Sequence, residues 1–257
     1  MNCPAHALRP APTAWWRPYR AELLAEWRRT WRTPGFAIPS LLFPVLFYLL
    51  FGIMLGHGRA AGYLLATYCV FGAMAPALFG FGVQLAQDRE GGLLTLKRAL
   101  PLPLAAPLLA RLLMVLVFAL LVAALLIVAA TTLGGVALGL GQVLQLLAVA
   151  AAAALPLGAI GLLIGSTISG SGAPAVVNLV YLPMALLSGL WLPLSMLPGL
   201  FGTLAPLWPT WHLAQLALMA VHEPGRGSVA GHLAVLLVVT TAALLLALRR
   251  LQRLGRA

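Results

Sequence analysis

The chain has 257 residues, of which 62% are apolar and only 8% charged, with a formal charge of +11. So few ionisable side chains cannot cover a folded surface in water, so lipid must be the solvent for most of the chain. The positive excess does not point to nucleic acid. Arg and Lys cluster beside apolar runs and form no soluble basic face, which makes anionic lipid headgroups the expected counter-surface. Cys3 and Cys69, one in a polar tail and one inside an apolar run, suggest neither a disulfide framework nor a metal site.

Residues 1–13, rich in Pro and Ala, read as a disordered tail. Residues 14–35 read as an amphipathic interface helix: Tyr19, Leu23, Trp27 and Trp31 recur at i+4 as an apolar stripe. Arg28, Arg29 and Arg32 fall on the other side, which suits a helix lying in the headgroup layer with its rings at the interface. Glu22 and Glu26 share a flank with Arg29, either as charge compensation on a solvated face or as a contact for a partner.

A membrane span needs roughly 20 apolar residues. Residues 36–248 hold six such stretches, at 36–56, 63–86, 107–133, 143–166, 174–192 and 228–248, followed by a basic tail at 249–257. The first run lacks a small-residue cleavage site and is expected to remain as a span. The expected fold is an all-α membrane protein with six transmembrane helices. With both ends inside, fourteen Arg and Lys residues lie on the inner side and only Arg59 and Arg226 lie outside, which predicts cytoplasmic N and C termini. Pro39, Pro44, Pro76, Pro156 and Pro183 punctuate the spans, each removing a backbone donor. Gly52 with Gly56, and Gly161 with Gly165, have the GxxxG spacing that permits close helix contact.

Residues 87–107, QDREGGLLTLKRALPLPLAAP, connect the second and third spans on the inner side. Asp88, Arg89 and Glu90 place both signs of charge at the membrane edge, and Gly91 and Gly92 allow a sharp turn. Leu93, Leu94 and Leu96 begin a short amphipathic helix that Pro101 and Pro103 end. On the residues alone this is either a charged connector or a rigid helix shaped to dock on a soluble partner and pass on its motion.

Residues 188–216, SGLWLPLSMLPGLFGTLAPLWPTWHLAQL, are too broken by Pro and Gly to cross lipid as one helix. They are expected to form an outer re-entrant excursion, with Trp191, Trp208 and Trp211 at the headgroup level. His212 reads as an interfacial hydrogen-bond donor or as a titratable gate. No acidic residue sits mid-span, so the buried carboxylate of many proton-coupled carriers is missing. Gln84, Asn178 and Tyr181 are the main polar candidates at membrane depth, for a pathway or for bonds between helices. No GxxxxGK[ST] phosphate loop occurs, so an ATP-driven role requires a motor on another chain.

The 87–107 segment resembles the coupling segment of the permeases of type-2 ABC exporters, through Asp88-Arg89-Glu90, Gly92, Leu94, Pro101, Leu102 and Pro103. Leu93 stands where that family has Thr. The outer segment is similar to the same family's outer motif through Ser188-Gly189, Trp191, Pro193, Leu197-Pro198, Pro209 and His212. The resemblance covers roughly residues 15–250. It implies a multi-pass permease of the bacterial inner membrane, working as a homodimer or heterodimer with two ABC ATP-binding subunits that hold ATP and Mg. This chain would bind no cofactor and would not itself be an enzyme, and the exported cargo would be amphipathic, such as a drug, lipid, peptide or glycolipid. Coupling to the ATPase is expected at Glu22, Glu26, Asp88, Arg89, Glu90, Gly92, Leu94, Pro101 and Pro103. An ATP-independent secondary transporter or an integral membrane enzyme is the alternative, and a scaffold subunit a third.

Overall fold

In the computed structural model of the protein, residues 16–55, 60–99, 102–103 and 105–254 are described. The tail at 1–13 and Gly56, Arg59 and Pro101 lie outside them. Among the described residues the chain is helical, and five helical runs are long and apolar enough to cross a membrane: Pro34–Met54, Ala61–Glu90, Ala105–Thr132, Leu140–Thr167 and Val229–Arg253. The helices in order are α1 (Arg17–Trp31), α2 (Pro34–Phe47), α3 (Ala61–Ala77), α4 (Gln84–Glu90), α5 (Leu93–Ala99), α6 (Ala105–Thr132) and α7 (Leu140–Thr167). Then come α8 (Ala173–Leu187), α9 (Gly199–Leu204), α10 (Pro209–Ala220) and α11 (Val229–Leu254).

The expected fifth span is the exception. Its helix, α8, has 15 residues, which rise about 22 Å, short of a hydrocarbon layer about 30 Å thick. It stops at Ser188 because Gly189 takes a left-handed φ of +72° and turns the chain back.

The Ala61–Glu90 run forms the centre, 83% buried over its most apolar stretch, against 28% for the first run and 17% for the last. Around it pack α6, α7 and α10. A π-helical stretch, Leu78–Val83, joins α3 to α4 just after Pro76, and a second, Tyr48–Leu55, extends α2 after Pro44. Proline lacks a donor and crowds the carbonyl four residues back, so widening the helix next to it relieves strain. By contrast α7 and α8 stay α-helical through Pro156 and Pro183.

The Leu78–Val83 stretch lies in a glycine stripe of α7. A Cβ on Gly161 would sit 2.5 Å from the Ala77 carbonyl oxygen, and one on Gly165 would sit 2.7 Å from that of Gly82. The GxxxG spacing at 161 and 165 is thus a packing face, whereas Gly52 meets only the ring of Tyr48 in its own run. Gly161→Ala is expected to destabilise by about 1–3 kcal/mol through overpacking, read as a lower thermal midpoint in detergent. Gly141→Ala on the same helix, with nothing within 4 Å of the added carbon, should leave the midpoint unchanged or slightly raised.

Candidate functional site

The α1 helix turns an unexpected face inward. Its buried residues are Glu22, Glu26 and Thr30, while Leu24, Trp27 and Trp31 are exposed beside Arg17, Arg20, Arg28 and Arg32. The two acids therefore do not compensate charge on a solvated face. Glu22 accepts from Lys97 Nζ of α5 at 2.5 Å, and Glu26 accepts from Arg111 Nε of α6 at 3.3 Å. Arg111 also bonds Asp88 at the end of the central run. Asp88 in turn receives both terminal nitrogens of Arg29, at 2.7 and 2.9 Å. Three carboxylates and three cations thus form a Glu22–Lys97 pair and a Glu26–Arg111–Asp88–Arg29 set, which together tie α1, α4, α5 and α6 into one charge network through the helices that carry them.

Asp88, Arg89 and Glu90 point in different directions because successive helical residues are rotated by about 100°. Arg89 donates to the carbonyl of Ser166 and, at 2.5 Å, to that of Ile168. It thereby places a cation on the last turn of α7, where the helix dipole favours one. The Glu90 carboxylate accepts from the Ser171 backbone N–H at 3.2 Å, just ahead of α8, where the dipole favours an anion. All three charges of the motif are spent inside the molecule. Gly91 and Gly92 make the expected turn, with Gly92 at φ +76°, and Leu94 is half-buried while Gly92 and Pro103 are exposed.

Energetically this network is costly to form and more costly to break. Buried ion pairs roughly offset their own desolvation, but removing one partner leaves an uncompensated charge. Arg111 is the most exacting member: it is 5% exposed, and its Nη1 has no partner among the described residues. With Glu26, Thr30 and Gln84 it lines a cavity of about 20 Å³, enough for one water molecule. Asp88→Ala, which leaves Arg111 and Arg29 with only Glu26 between them, is expected to destabilise by about 3–5 kcal/mol. Glu90→Gln, which weakens one exposed bond, should cost about 1 kcal/mol. Denaturation of both variants in detergent, with comparable membrane insertion, checks the ranking.

At the opposite end the segment after α8 folds back on the body. Ser188 Oγ lies 2.5 Å from Thr210 Oγ1, and the Gly189 carbonyl accepts from the Tyr63 hydroxyl at 2.8 Å. The Trp191 carbonyl faces the Tyr68 hydroxyl at 3.5 Å. Pro193, Pro198 and Pro209 each precede or open a helical turn, the position where a missing N–H costs nothing. Trp191 and Trp208 are half-buried, but Trp211 is buried within the body. His212 is also buried, with its Nδ1 2.8 Å from that of His232 on α11.

The three polar candidates at membrane depth part company. Gln84 lines the small cavity beside Arg111, Tyr181 is buried against Phe71 and Phe79, and Asn178 is exposed on α8. Arg29, Lys97, Arg111, Thr210 and His232 are the contributors that reading the sequence missed. Arg111 carried a signal, since a cation one turn inside an apolar run requires a carboxylate. His232, near the start of the last span, carried a different one, since a polar ring in an apolar run requires a hydrogen-bond partner.

Comparison with known proteins bears on the kind of chain this is. Residues 19–221 match the family described as ABC-2 type transporter. A relative from Bacillus subtilis (strain 168), named "Putative transport permease YvfS", is 25% identical over 194 residues, covering 74% of this chain and 79% of the relative. The matched region runs from α1 through the charge network and the folded-back segment to the end of α10, and this multi-pass membrane chain belongs to the ABC-2 type transporter family.

Proposed function

We propose that the chain is the transmembrane subunit of an ATP-driven exporter whose ATP and Mg are held by a separate ABC ATPase. The observation that carries this reading is the way α5 is mounted. Its outer side presents Gly92, Thr95, Leu96 and Ala99, with Leu96 61% exposed, while Leu93, Leu94 and Lys97 turn toward the body. An exposed leucine on a short helix at the charged end of the molecule suits a groove on a soluble partner. Lys97 links that helix to Glu22, and the turn at Gly91-Gly92 links it to Asp88, so a push on α5 reaches α1 and the central run together. On this reading Glu22, Glu26 and Asp88 transmit motion and do not touch the ATPase.

The α5 end and both termini face the cytoplasm of a bacterial inner membrane, as the fourteen-to-two charge distribution favours. α8 with the residues after it makes the fifth of six passages. The outer face of α1, basic and aromatic once its acids turn inward, lies on anionic headgroups. Asn178, exposed on an otherwise apolar face, favours a second permease copy there, since an amide facing lipid is costly. Amphipathic cargo would leave between the two copies.

The test is co-expression with the cognate ATPase. Leu96→Asp is expected to reduce co-purification and transport-linked ATP hydrolysis by about tenfold or more, as for a docking residue at the centre of an interface, with membrane insertion preserved. Wild-type ATPase recovery and export by that variant would reject the reading.

A further inference from the structure

We infer that His212 of α10 and His232 of α11 hold one proton in common, so that the contact between these helices is a proton-binding site. The argument rests on four ring nitrogens and their partners. His212 Nε2 lies 2.9 Å from the Pro206 carbonyl oxygen, and His232 Nε2 lies 2.7 Å from that of Arg226. A carbonyl oxygen only accepts, so both Nε2 atoms carry hydrogen. A neutral imidazole has a single N–H, so two neutral rings would then oppose bare lone pairs across the 2.8 Å between their Nδ1 atoms. One added proton turns that repulsion into a hydrogen bond, giving three bonds from three hydrogens on four nitrogens. A second added proton would set two N–H groups and two like charges face to face. The observed arrangement fits one extra proton, neither none nor two.

The surroundings are built around this pair. Trp211 meets both rings nearly edge-on, with centroids at 5.0 and 5.4 Å. The Arg226 N–H donates to Gln215 Oε1 at 2.7 Å, which closes a loop of bonds from α10 through residue 226 to α11 and back. Gly227, at φ +86°, allows that approach: a Cβ there would lie 3.0 Å from His232 Nε2. Among the described residues no carboxylate, Lys or Arg side chain bonds either ring. Glu223 lies against Gly62, Arg226 serves through its main chain with its side chain exposed, and His222 pairs with Gln142. From α3, the Tyr63 and Tyr68 hydroxyls are directed to Gly189 and Trp191. The shared charge therefore has no counter-ion and is held by two rings and two carbonyl dipoles. Losing the proton, or gaining a second, removes the central bond, so the α10–α11 contact is strongest in a window of pH. This follows from the geometry whether or not the chain exports anything.

Histidine-selective ¹⁵N NMR of the purified chain in lipid nanodiscs tests it, with His6, His57 and His222 replaced by Gln so that only the pair reports. At about pH 6, inside the range over which histidine side chains change charge, the expected spectrum shows one imidazolium per pair and both Nε2 atoms protonated. Two imidazolium rings, no imidazolium, or a bare Nε2 would overturn the proposal. In the further variant His232→Gln an amide can donate to His212 Nδ1 without an added proton. His212 should then stay a neutral Nε2–H ring at the same pH, and an imidazolium signal persisting there would also overturn it. Should that variant fail to fold, the spectrum of the paired rings decides alone.

Discussion

Asp88 and Arg111 face each other at the rim of an apolar bundle, with side chains 7% and 5% exposed. Neither ion can be withdrawn from water alone without a penalty of several kcal/mol, so each determines where the other's helix lies. The obligation spreads: Arg111 also engages Glu26, and Asp88 also engages Arg29. The hydrogen bond to Asp88 is the main reason the Arg29 guanidinium is held above its ordinary value, against the opposing effect of burial. Lys97 and Glu22 extend the chain of dependence to α5. The interface helix is therefore attached to the bundle chiefly by charge, with Trp31 resting on Phe118 of α6, and its exposed arginines, Arg17, Arg20, Arg28 and Arg32, face outward.

The middle of the bundle is organised differently from its ends. There the contact is close packing, with the Leu78–Val83 stretch lying on Gly161 and Gly165 and no room for an added carbon. Packing that dense resists small deformations, so a displacement at the charged end is carried by whole helices. The far end is held by hydroxyl and ring bonds in place of carboxylate pairs: Ser188 with Thr210, Tyr63 with Gly189, His212 with His232. The two ends are thus held by bonds of different strength, ion pairs at one and exchangeable hydroxyl and ring bonds at the other.

Hydropathy located the long helices because a 20-residue apolar run has few other uses. It overestimated the stretch at 174–192, since composition does not register that Gly189 adopts a left-handed turn and ends α8 early. On α1 the i+4 recurrence of aromatic residues was real, but it marked the outward face. The buried stripe is Glu22, Glu26 and Thr30, and its partners Lys97 and Arg111 lie 75 and 85 positions away, beyond any local pattern. The Asp88-Arg89-Glu90 triplet was legible as a motif, while the three destinations of its side chains were not. The glycines at 161 and 165 were legible as a spacing, and only the approach of the central run gave that spacing a partner.

The π-helical stretch ahead of that triplet has a consequence for helical phase. A π-turn holds more residues than an α-turn, so it resets the angle at which everything beyond it emerges. Asp88, Arg89 and Glu90 all lie beyond it, each committed to a different neighbour. Converting Leu78–Val83 to regular α-helix would rotate the triplet as a unit by a large part of about 100°, withdrawing all three side chains at once. The central run thus has a phase element between its packed middle and its charged end. One local change of helix type there would disengage α1, α7 and α8 together.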